Sequence, residues 1–142
     1  MADPIEILFT DGNTGDSVCL YARWGIYSGE DALFLALKDH KDRWDEMDVL
    51  AHSTMRHIYD LINDGDDLNY GISALPGRCS EQIHVDFKAQ IIRRVTVDYS
   101  EDITNQSTVH NAWTFQEFYD THLRVSGEGV AILHSRYKDL FE

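Results

Sequence analysis

Cations are scarce in this chain: 12 lysines and arginines stand against 25 acids, for a formal net charge of −13, and Lys38, Lys41, Lys88 and Lys138 are the only lysines. Such a field repels nucleic acid and anionic membrane, because phosphate contacts need basic side chains. It favours basic protein surfaces, although acidity also serves solubility or adaptation to salt. No apolar run approaches the roughly 18 residues that cross a bilayer. The N-terminal MADPIEILFT has neither the basic nor the apolar region of a secretion signal. Cys19 and Cys79 form no CxxC motif, so two reduced thiols in a cytoplasmic protein are expected. Nothing matches a Walker or dinucleotide glycine loop, and no cofactor is expected.

What is present is a core. A hydrophobic fraction of 43% over 142 residues specifies one folded domain, with 119–142 as a C-terminal extension. The organising stretch is Ser28–Asn63, which reads as two amphipathic helices over about 28–41 and 43–63. Leu33, Phe34 and Leu37, then Met47, Leu50, Ala51, Met55, Ile58, Leu61 and Ile62, recur at helical spacing. Alternation predicts strands at Ile5–Thr10, Ser17–Arg23, Asn69–Leu75, Glu81–Phe87 and Gln90–Tyr99, the last interrupted by Arg93 and so bulged or at an edge. Ser100–Asn111 is polar and reads as a loop. Thr114 and Glu117 have capping-box spacing ahead of a short helix to about His122. A strand at Gly129–Leu133 and a helical end from Ser135 complete the expectation. The order predicts an α+β domain: an antiparallel sheet of about five strands with two main helices packed on one face.

Several pieces resemble a loosely defined group of small uncharacterised proteins of phages, prophages and microbial genomes. They are Leu20-Tyr21-Ala22-Arg23-Trp24-Gly25, Arg43-Trp44-Asp45, Tyr70-Gly71-Ile72-Ser73, Val85-Asp86 and Trp113-Thr114-Phe115-Gln116-Glu117-Phe118. Ile26 stands where that group tends to carry a second glycine, and the resemblance stops at about Phe118. It implies no activity. It implies a mobile-element setting, in which a small acidic protein is often an inhibitor of host defence.

The densest acidic region is Asp39, Asp42, Asp45, Glu46 and Asp48, with Glu30 and Asp31 on the preceding turns. Carboxylates there can stand where nucleic acid presents phosphates, so that a basic channel of a CRISPR- or restriction-type complex accepts them. The plainer account is a solvated helix joint, partly neutralised by Lys38, Lys41 and Arg43. Tyr21, Arg23, Trp24, Tyr27 and Trp44 form an alternative: an aromatic pocket for a small molecule or nucleotide, set against ordinary core packing. His84 and Asp86 share a strand face and suggest a hydrolase base and its orienter, but no nucleophile stands beside them. His52 and His57 are five apart and cannot chelate together. Asp11–Asp16 and Asn63–Asp67 look like calcium loops yet lack the closing glutamate, so they read as turns and no metal site is expected. Cys79, beside Arg78, is the more reactive thiol of the two on sequence grounds. The expectation is a non-enzymatic protein that binds a host protein with a basic surface, and neither nucleic acid nor membrane directly.

Overall fold

A computed structural model describes residues 4–23, 28–62, 70–77, 79–99 and 106–123, with the backbone alone at Ser28, Leu61, Ile62 and Gln106. The elements are β1 (Ile5–Thr10), β2 (Ser17–Ala22), α1 (Ser28–Asp39), a 3-10 turn at Lys41–Arg43, α2 (Met47–Ile62), β3 (Tyr70–Ser73), β4 (Glu81–Asp86), β5 (Ile91–Asp98), β6 (Gln106–Thr114) and α3 (115–123). The expected tail elements at Gly129–Leu133 and from Ser135, and the Asn63–Asp67 loop, lie outside the described residues.

Six strands form one mixed sheet in the order β3-β2-β1-β4-β5-β6. This corrects the expected five-stranded antiparallel sheet. β1 runs parallel to β4, Ile7 opposite Ile83, and every other neighbouring pair is antiparallel. Parallel neighbours need a long crossover; here β2, both main helices and β3 supply it. β6 occupies part of the stretch read as a loop. Its residues 107–112 are all exposed, so neither face of this edge strand carries the apolar alternation that betrays a strand.

Strand alternation divides the molecule. Ile5, Ile7, Phe9, Leu20, Ala22, Ile83, Val85 and Ile92 face the helices. Leu33, Phe34 and Leu37 of α1, Leu50 and Ile58 of α2, and Phe115, Phe118 and Tyr119 of α3 close the same core. Gly29 lets α1 start directly over β1, since a Cβ there would lie 3.2 Å from Ile5. The hairpin between β1 and β2 turns through Gly15 at φ +78°, with Asp11 Oδ1 accepting from the Asn13 amide. The capping box forms as spaced: Thr114 Oγ1 accepts from the Glu117 amide, and Glu117 Oε1 from the Thr114 amide.

The opposite face of the sheet carries a buried polar network. Glu6 is only 1% exposed; its carboxylate accepts from the Cys79 amide at 2.7 Å, from the Gly77 amide at 3.2 Å, and from the Cys19 thiol at 3.7 Å. Beside it, buried Gln82 donates to the Cys79 carbonyl and the Tyr99 hydroxyl. Glu6 thereby pins the connection that delivers β4 to the sheet. Glu6→Ala leaves two amide donors without their acceptor and should cost roughly 2–5 kcal/mol, read by chemical denaturation. A change below about 0.5 kcal/mol would show that the connection is held by something else.

His122 fixes α3 to α1. Burial alone would depress its pKa, but Glu30 Oε2 at 3.4 Å and the Phe118 carbonyl at 2.8 Å both take its protons and hold it above the ordinary value. His84 moves the other way, lowered by burial and by Arg93. The His122 contribution is therefore complete below the unfolded value of about 6.5 and is lost as pH rises through its raised folded value. That of His84 is present above about 6.5 and lost as pH falls. Thermal melts of the wild type and His122→Gln should differ most near pH 5.5 and converge toward pH 8.5, roughly one to two units either side of that reference. A constant gap would show that His122 acts by packing alone.

Candidate docking surface

The acids of the helix joint do not act as one set. Glu30, at the far end of α1, turns inward to Arg94 at 3.5 Å and to His122, and Asp31 is half-buried beside it and engaged. Asp39 is tied across the helix pair to His57 at 2.7 Å. Glu46 receives the Arg43 guanidinium at 2.5 and 2.8 Å, which holds its carboxyl below the usual range. Lys41 places its ammonium 4.7 Å from the centre of the Tyr119 ring. Lys41 and Arg43 are thus engaged, while Lys38 is exposed at the end of α1. Asp42, Asp45 and Asp48 remain exposed, three residues apart, with no hydrogen bond or ion pair among the described residues.

Next to Asp48 an apolar trough begins. Met47, Ala51, Met55 and Tyr59 follow one another at four-residue steps down the flank of α2. They face Val18 and Leu20 of β2 and Tyr70 and Ile72 of β3 across two adjoining cavities of about 410 and 380 Å³, which share His52, Met55 and Ile72. The Tyr59 and Tyr70 rings, 5.5 Å apart, mark the far end, near Arg56. Tyr59 is 44% and Ile72 69% exposed, so the lining is open to water. Met47 and Met55 are legible in the sequence as apolar residues at helical spacing, but not as the wall of a groove; that depends on where β3 lies.

Of the aromatic set, the described rings Tyr21 and Trp44 do not converge. Tyr21 pairs with Glu6 and so points to the opposite side of the sheet from Leu20 and the helices. Trp44 packs on Phe115 and Tyr119 and donates its indole N–H to the Leu37 carbonyl at 2.9 Å. Arg23 is exposed at the end of β2, while Trp24 and Tyr27 lie outside the described residues. Strand alternation separates what proximity in sequence suggested.

The hydrolase pair is also parted. His84 meets Gln82 Oε1 at 2.7 Å, and Asp86 caps the following turn through the Lys88 and Ala89 amides. A different hydroxyl–imidazole pair exists that no local pattern announces: Thr96 Oγ1 lies 2.7 Å from His110 Nε2, in a polar hollow with Glu81, Arg94 and Asn111. The register shift between Arg94 and Val95 omits His110 from the ladder and brings it to Thr96. Its other ring nitrogen has no orienting partner among the described residues, so the catalytic arrangement is incomplete. No cluster of three metal-ligating side chains occurs among the described residues, and no helix there is long and apolar enough to cross a membrane. The chain matches no family model, no curated protein and no solved structure.

The thiols offer no reactive site. Cys19 is fully buried, and burial together with the Glu6 carboxylate pushes its pKa up to about 12. Cys79 is 3% exposed, which removes the accessibility that its reactivity required; Arg78 lies outside the described residues. Native protein should resist iodoacetamide at both positions and react only in denaturant, as read by intact mass. Rapid single labelling of the folded chain would contradict this burial.

Proposed function

We propose that this protein is a non-enzymatic binding module. Its α1–α2 joint engages a cation-rich surface of a nucleic-acid-handling protein, with Asp42, Asp45 and Asp48 in the place of phosphates. The observation that carries the reading is that these three exposed carboxylates have no hydrogen bond or ion pair among the described residues, while the neighbouring Lys41 and Arg43 are drawn to Tyr119 and Glu46. Asp45 and Asp48 share the field of Arg43 but make no hydrogen bond to it, and exposed carboxylates in that state can form charge-assisted hydrogen bonds with arginines and lysines of a partner. The net charge of −13 steers such a partner and rejects nucleic acid itself. The resemblance to phage and prophage proteins supports a role as an inhibitor of host defence, its target a CRISPR- or restriction-type complex in the host cytoplasm. The small-molecule reading is less favoured, since Tyr21 and Trp44 stand apart, and so is the hydrolase, since His84 meets Gln82 and Asp86 the Lys88 and Ala89 amides.

Tagged protein incubated with host lysate at low and high salt should retain a nucleic-acid-handling complex at low salt only. Changing Asp42, Asp45 and Asp48 together to lysine should weaken that complex by roughly 100-fold or more. The fold should be undisturbed, because exposed substitutions typically shift stability within about 0.5 kcal/mol. Unchanged affinity in the triple variant sinks the proposal.

A further inference from the structure

The two edges of the sheet are managed differently. β6 is interrupted by the bulge at His110, a common device for closing an edge to further pairing. β3, with sequence YGIS, has no charge, no proline and no irregularity in its pairing to β2. Among the described residues no strand covers its outer side. Tyr70 and Ile72 pair with Ala22 and Leu20, so their side chains stand on the helix face and line the trough beneath α2. A strand added outside β3 would continue the pleat. Every second side chain would then enter the space beside Met55 and Tyr59.

We infer that β3 and the α2 trough together take an extended segment of a partner protein, apolar at alternate positions and cationic at one end. Strand addition of this kind draws affinity from main-chain hydrogen bonds and specificity from the pockets that receive alternate side chains. The charge of the trough sets the polarity. Asp48 stands at the Ile72 end, continuous with exposed Asp45 and Asp42, whereas Arg56 lies at the Tyr70 end. In an antiparallel addition the N-terminal end of the segment lies beside Ser73 and Asp48, and there it carries the lysines or arginines. A second copy of this chain is a poor occupant, since it brings another charge of −13 against the same carboxylates. The inference rests on the proposed binding function and gives its partner a form: a basic-headed strand.

The test uses the full chain and three synthetic ten-residue peptides of alternating valine and threonine, headed at the N-terminus by two lysines, two glutamates or two serines. The lysine-headed peptide should slow amide exchange in Gly71–Ser73 and bind roughly tenfold or more tighter than the glutamate-headed one. Ile72→Lys and, independently, Met55→Glu should each remove binding of all three while circular dichroism remains native. Equal affinity for the lysine and glutamate peptides, or no protection of β3, overturns the inference. So does a dimer in sedimentation that Ile72→Lys dissolves, since the occupant is then a second copy. Failure here is distinguishable from failure of the acidic joint. If the trough is empty but the joint is functional, the host complex binds Ile72→Lys normally and loses the Asp42/Asp45/Asp48 variant. If the joint is idle but the trough is functional, that triple variant still binds the serine-headed peptide.

Discussion

The Glu6 carboxylate, buried under the central strand, accepts the amides of Gly77 and Cys79 and so decides where the chain re-enters the sheet to become β4. β4 is the strand that runs parallel to β1, and on it are built β5, β6 and the seat of α3. A buried carboxylate is costly unless donors surround it. Here two amides and a thiol do so, and the same bonds hold the crossover in one path. Burial of a polar group is thereby turned into specification of topology. The loop it pins also follows β3 directly, through Ser73 and Ala74, so the position of the open edge depends on a residue on the far side of the sheet.

Local signals were read where the chain decides locally. Ser28–Asp39 and Met47–Ile62 follow the 3.6-residue period closely; α2 begins at Met47 and not at about residue 43, because Lys41–Arg43 form a 3-10 turn between the helices. Thr114 and Glu117 cap α3 because a capping box is a three-residue event. The parallel direction of β4 against β1 was not legible, since it is fixed by residues some 75 positions apart, as the Glu6–Gln82 pairing shows. β6 escaped because an exposed edge strand has no apolar face to display.

The candidate surface divides in the same manner. The acids at Asp42, Asp45 and Asp48 are visible in the sequence, and the Arg43–Glu46 pair is a local three-residue contact; that Lys41 would turn to Tyr119 is not legible, because Tyr119 arrives from a distant helix. Glu30 belonged to the acidic set by position alone, and its contacts with Arg94 and His122 assign it to the packing of α3. The trough residues Met47, Met55 and Tyr59 show the period of a core face, but their spacing cannot tell a covered stripe from an open one. Only the placement of a four-residue strand beside them distinguishes the two.

An unprotected strand edge is ordinarily a route to aggregation, and soluble proteins blunt it with lysine, proline or a bulge. β3 has none of these, yet the chain as a whole carries a charge of −13, with carboxylates at one end of that edge. Repulsion between like molecules supplies globally what the edge lacks locally. The same field has the opposite sign of effect on a basic partner, which it draws toward the surface it denies to a second copy. Under the proposed binding function, acidity and an edge that no described strand covers, each a liability when considered separately, support one another: the charge keeps like molecules off the edge, and the edge gives the charge something to deliver a partner to.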